Sequence, residues 1–198
     1  MEYNIIMPED GRNITRKAEE KMSILTERFG FKEIDPSELH TMGFDPYKRI
    51  DKDWFLVTAG DESSWNTMTA SWGFAGIMWG KQTFTTVIRP QRYTKEFLDK
   101  GNTFTISFFD ESERKALAFC GSHSGRDSDK AAETGLVPVA TDGSVTFEQA
   151  KIVFVCEKAY VQQMTADSFI NKDIIEANYA AGDYHVQYIG IIRKVYVK

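Results

Sequence analysis

Two short segments carry the residue types that could grip a ligand. The first, Asn66-Thr67-Met68-Thr69-Ala70-Ser71-Trp72, alternates small hydroxyl side chains with apolar ones, then enters a glycine-dotted loop holding Trp72 and Trp79. In an extended strand Thr67, Thr69 and Ser71 point to one face, and Met68, Ala70 and Trp72 to the other. One face can hydrogen-bond while the other fills a core. The second segment, Arg89-Pro90-Gln91-Arg92-Tyr93-Thr94, sets two guanidinium forks and a hydroxyl at the start of an amphipathic helix, with Pro90 fixing the turn. Exposed N–H groups and the helix dipole make such a start favourable for phosphate. Together the segments read as two halves of a site for a flat aromatic ligand that carries a phosphate. Each alone has a plainer reading, as a core strand with a polar outer face and as two surface charges.

Other elements must hold these halves in place. Residues 12–29 read as a helix with Ala18, Met22, Leu25 and Phe29 on one side and Gly30 as its stop. Asp35 before Pro36 is the signature of a short helix start. Strands are predicted at 54–59, 67–72, 83–89, 103–109, 145–147, 151–163 and 184–197, all rich in β-branched and aromatic residues. Helices are predicted at 94–100, closed by Gly101, at 111–119 and at 127–133, and residues 167–178 mix loop and short helix. No repeat or low-complexity linker divides the chain. Mostly antiparallel strands with inserted helices predict a mainly β fold, a small closed barrel.

Composition narrows the function. A chain of 198 residues fits one domain with a substantial core, and its formal charge of -5 argues against nucleic-acid binding. An anionic ligand would therefore need local positive charge. Cys120 and Cys156, the only cysteines, are expected as free, inert thiols in a cytoplasmic protein. Nothing resembles a signal peptide or a membrane span, and the sequon at Asn13-Ile14-Thr15 is read as chance. Gly73, Gly76 and Gly80 miss the dinucleotide fingerprint, and Gly76 to Lys81 is one residue short of a phosphate loop. His40, His123 and His185 are too scattered for a zinc site, and there is no nucleophile-elbow serine. No metal and no catalytic side chain is expected; a cofactor would carry the chemistry.

The two segments, followed by Thr103-Phe104-Thr105-Ile106-Ser107-Phe108-Phe109 and Cys120-Gly121-Ser122-His123-Ser124-Gly125-Arg126-Asp127, resemble the flavin reductase-like family, close to its flavoredoxin-type members. Asp183-Tyr184-His185 and Tyr188-Ile189-Gly190 fit the same pattern. The resemblance covers residues 33–198 and leaves 1–32 as an N-terminal helical extension. It implies an FMN-binding split β-barrel that dimerises with itself and holds FMN non-covalently near the subunit interface. It further implies electrons from NADH or NADPH, or exchange with a redox partner protein. The rival is a non-enzymatic FMN-binding carrier lacking a nicotinamide site.

The same resemblance assigns residues. Asn66 to Trp72 run along the ring edge, whose carbonyl oxygens and nitrogens suit backbone amides and hydroxyls. Arg89, Arg92, Tyr93, Thr94, Ser124 and Arg126 belong to the phosphate end, and Lys130 supplies charge near the flavin. Ser107, Phe108 and Phe109 lie on the strand beside the cofactor, where a phenylalanine packs on the ring or simply in the core. His185 sits near the ring or the nicotinamide pocket, or is structural. Trp72 and Trp79 shield a ring, stabilise the dimer or fill the core.

Overall fold

The computed structural model describes residues 23–198. The positions Ala18 and Met22 of the predicted N-terminal helix, and the sequon, lie outside the described residues. Five helices and ten strands follow: α1 (Ile24–Phe29), β1 (Lys32–Ile34), β2 (Phe55–Asp61), β3 (Ser64–Ala70), β4 (Gly73–Met78), β5 (Lys81–Ile88), α2 (Thr94–Lys100), β6 (Thr103–Phe108), α3 (Arg114–Ser122), α4 (Lys130–Thr134), β7 (Pro138–Thr141), β8 (Ser144–Phe147), β9 (Ile152–Gln163), α5 (Asp173–Asn178) and β10 (Val186–Val197). A wide π-type turn occupies Lys48–Asp53.

Local chemistry explains several boundaries. Ser23 caps α1, and Gly30, in the left-handed region at φ 71°, ends it. Asp35 accepts from the backbone N–H of Ser37 and starts a short 3-10 helix at Pro36. Asp129 caps α4 through the N–H groups of Ala131 and Ala132, so that helix begins at Lys130, three residues later than the expected 127.

One stretch departs from expectation. The glycine-dotted segment read as a loop is strand β4, paired with β5 from Gly73↔Thr86 to Met78↔Lys81. Its glycines hid the pattern, because they contribute neither β-branching nor alternation. Gly73 is needed there, since a Cβ would lie 2.2 Å from the carbonyl oxygen of Thr85.

The main sheet runs β3-β2-β6-β9-β10-β5-β4, with β1 also pairing with β10, and its ladders are antiparallel. It wraps round a core of Phe55, Phe84, Phe104, Phe108 and Phe154 with Val57, Ile88 and Ile106. A second cluster outside the sheet joins Leu25, Phe31 and Tyr196 to Leu117 of α3 and to the β7–β8 hairpin, so the described part of the N-terminal region packs onto the domain. Both cysteines are free and buried, and burial pushes the thiol of Cys120 up to about 11.

The barrel is not closed. Among the described residues no ladder joins β3 to β5, so β3 keeps one unpaired edge and the barrel is split there. Among the described residues no helix is long and apolar enough to cross a membrane.

Candidate functional site

A cleft of about 350 Å³ opens at this split. It is lined by Met68 to Trp72 from β3 and its following turn, by Val87, Arg89 and Arg92 from the β5–α2 connection, and by Gly121 and His185. The hydroxyl-bearing strand and the arginine-bearing turn therefore meet in space. The carboxamide of Asn66 fastens them, donating to the Thr94 hydroxyl at 2.7 Å.

The unpaired edge of β3 supplies the polar groups. The carbonyl oxygen of Thr67 accepts from Lys130 Nζ at 2.7 Å and from Asn66 Nδ2 at 3.2 Å, neither of which belongs to β2. Because strand groups alternate sides, the backbone of Thr69, two residues on, presents its N–H and C=O to the same open edge. The hydroxyls are engaged elsewhere. Thr67 Oγ1 shares a hydrogen with Thr58 Oγ1 at 2.9 Å, and Thr69 Oγ1 donates to the carbonyl of Leu117 in α3. Met68 and Ala70 face the barrel core as expected, but Trp72 does not: β3 ends at Ala70, and the indole stands 46% exposed, its ring centroid 5.2 Å from that of His185.

The two arginines differ sharply. Arg89 is neutralised by Asp183 at 2.5 Å, donates to the carbonyl of Asn178 at 2.9 Å, and lies over the Tyr179 ring. Arg92 donates to the carbonyl of Gly121 at 2.7 Å and has no carboxylate partner among the described residues. Burial works against its charge, yet a guanidinium stays ionised. Arg92 is thus the cation the cleft leaves uncancelled.

Other expected residues stand further off. Arg126 is paired with Glu96 and lies over the Tyr93 ring at 4.6 Å, while Ser124 accepts from the N–H of Arg126 within its own turn. Tyr93 packs edge-on against Phe97. Thr94 is wholly buried and engaged by Asn66. Lys130 is buried at the open edge of β3, donating to the carbonyls of Thr67 and Cys120, and desolvation, with a smaller contribution from the charge of Arg92, brings its amine down to about 8. It does not itself line the cleft.

Three more of the expected residues are not at the cleft. Ser107 is buried against Thr146 at 2.9 Å, Phe108 lies among Phe44, Phe55, Phe84 and Phe154, and Phe109 belongs to the outer cluster with Phe147. The reason is topological: β6 is separated from β3 by β2.

His185 is 7% exposed and bonded through Nδ1 to the Tyr179 hydroxyl at 2.8 Å. Burial, helped by the charge of Arg89 and opposed by Asp183, holds its imidazole down at about 4, so it is neutral near pH 7.

The flavin reductase like domain matches residues 47–198. The chain belongs to the flavin reductase-like family. Among solved structures it resembles the FMN-binding domain of a flavin reductases-like enzyme from Shewanella baltica, with TM-score 0.60 and 15% identity over 84% of this chain and 76% of that one. An FMN-binding protein from Thermus thermophilus with bound p-hydroxybenzaldehyde gives TM-score 0.60 and 23% identity over 79% and 77%. Flavoredoxin of Desulfovibrio vulgaris (Miyazaki F) gives 0.59 and 21% over 79% and 75%. These likenesses are of fold. No curated protein matches the chain.

Two residues of this flavin reductase-like cleft were not singled out from sequence. Val87 shares a strand face with Arg89, two residues on, so alternation along β5 could have found it. Gly121 lines the cleft at the end of α3 and accepts from Arg92, a contact that nothing local signals.

Proposed function

We propose that this flavin reductase-like protein binds FMN non-covalently at the split of the barrel and acts as an oxidoreductase, passing electrons from NADH, NADPH or a redox partner protein. The observation that carries the reading is the meeting of the free β3 edge with the unpaired Arg92 in one cleft. Its residues suit the cofactor. At about 350 Å³ the cleft falls within the range of small-molecule sites. Strand amides and carbonyls match the alternating donors and acceptors of the ring edge, and Arg92 answers an anionic tail. The FMN-binding proteins and the flavoredoxin among the fold neighbours support the same assignment.

Bound FMN would supply the redox chemistry. The chain contributes position and environment. The backbone at Thr69 orients the ring edge, with Lys130 bracing that strand through Thr67. Trp72 and neutral His185 give the cleft an uncharged wall beside the ring. Arg92 holds the phosphate while offering no group that titrates near neutral pH.

One observation favours the carrier reading over a nicotinamide-dependent reductase. With Arg89 neutralised by Asp183, the described cleft lining leaves a single cation, enough for one phosphate monoester and not for a second, pyrophosphate-bearing nucleotide. Titration of the protein with FMN, followed by anaerobic mixing with NADH or NADPH, tests both levels. Failure to bind FMN overturns the flavin reading, whereas bound flavin that stays oxidised with either nucleotide favours the carrier.

A homodimer in the cytoplasm completes the proposal. Ile77 on β4 and Trp79 in the next turn are exposed by 68% and 57%. That much aromatic and aliphatic surface suits a partner. Sedimentation equilibrium measures it.

A further inference from the structure

A second cleft, of about 390 Å³, adjoins the first and shares Ser71 and Trp72 with it. One wall is the β3–β4 turn with Trp72 and Phe74, and the other is the π-type turn with Tyr47, Ile50 and Asp51. We propose that this cleft is a binding site for an uncharged aromatic small molecule, the second reactant beside the flavin; the assignment of its role rests on the flavin reading above.

The walls are built, not incidental. Trp54, just after the π-type turn, sits at φ 65° and ψ 173°, a conformation that side-chain-bearing residues avoid. Arg114 holds it there, its guanidinium 3.4 Å from the indole centroid while Nη1 donates to the carbonyls of Lys52 at 2.6 Å and Asp53 at 3.1 Å. That clamp fixes the turn carrying Ile50 and Asp51. Opposite, Gly73 lets the β3–β4 turn press against Thr85, which sets the position of Trp72 and Phe74. Backbone strain and π-type turns both concentrate at functional sites.

The lining specifies the ligand class. Three aromatic rings stand exposed, Tyr47 by 86%, Trp72 by 46% and Phe74 by 48%, and flat rings stack favourably on such faces. Among the described residues the only charged group on the wall is Asp51, which its exposed neighbour Lys52 meets at 2.5 Å. The other cations of the turn, Lys48 and Arg49, are paired with Asp53 and line a different cleft. A phosphate or carboxylate would find no unpaired cation on these walls, since the one nearby ammonium, that of Lys52, is held by Asp51. A neutral ring bearing a hydroxyl or amide donor finds stacking partners and an acceptor.

Calorimetric titration of the full-length, FMN-saturated protein with 2-naphthol and with its anionic counterpart 2-naphthoate tests the site. The expected result is binding of 2-naphthol, weakened about fivefold or more by Tyr47→Ala, an exposed position whose loss leaves the core intact. Asp51→Asn should raise 2-naphthoate affinity about fivefold and leave 2-naphthol little changed. Equal binding of both probes, indifference to Tyr47→Ala, or no binding at all overturns the site. The same titration without FMN separates the two proposals. Binding of 2-naphthol that FMN displaces places the probe in the flavin cleft and sinks the second site. If FMN does not bind while 2-naphthol still responds to Tyr47→Ala, the second site stands and the flavin reading falls.

Discussion

The carboxamide of Asn66 donates to the hydroxyl of Thr94 over 2.7 Å, tying β3 to the start of α2 across 28 positions of sequence. Both side chains are buried, and Gly125 lies so close that a Cβ there would fall 1.9 Å from Asn66 Oδ1. Three segments thus lock at one point behind the cleft. Asn66→Ala leaves the Thr94 hydroxyl buried without this donor and should cost about 1–3 kcal/mol in urea denaturation. Gly125→Ala should destabilise by a similar amount, about 1–3 kcal/mol, by forcing the carboxamide off Thr94. Wild-type stability in both variants would remove the lock.

Arg92 and Arg89 should respond differently to substitution. Arg92→Gln is expected to weaken FMN at least about tenfold in a fluorescence titration, the scale of one charge-assisted hydrogen bond. Arg89→Gln should weaken it less, because Asp183 already cancels that charge. Asp183→Asn frees Arg89 and should tighten FMN. The reverse ranking of the two arginines would assign the phosphate to Arg89.

Lys130 makes stability depend on alkaline pH. Its amine titrates at about 8 in the fold against 10.5 in the unfolded chain, so the unfolded state binds more protons between those values. Stability from the neutral amine is therefore fully present above 10.5 and is lost as pH falls through about 8. The difference between wild type and Lys130→Met should change across this window by on the order of 3 kcal/mol. A window-independent difference in urea denaturation would show that the amine titrates normally.

For His185 the same sign holds at acid pH. Its folded value is about 4 against 6.5, so its contribution is complete above 6.5 and disappears as pH falls through about 4. His185→Gln should flatten that part of the pH–stability curve, a change on the order of 3 kcal/mol. Carbon-detected NMR titration of the imidazole checks the value directly; an ordinary midpoint near that of free histidine contradicts it.

Much of the site was legible because its signals are local. Alternation placed Met68 and Ala70 on the core face, and the helix over Thr94–Lys100 with Gly101 after it stands where turn and capping residues put it. Ordered motifs of a few residues each were enough to reach the family. β4 escaped because glycine carries no periodicity, and Trp72 was misplaced because β3 stops at Ala70, two residues before the pattern does.

What the chain alone left open is which distant groups meet. Asp183 silences Arg89 from 94 positions away, Lys130 reaches Thr67 across 63, and β2 keeps Phe108 away from the cleft. Strand periodicity and capping act within a turn or two and are written in neighbouring residues. Charge cancellation, burial and the open seam depend on how β2 to β10 wrap, and only the folded barrel decides them.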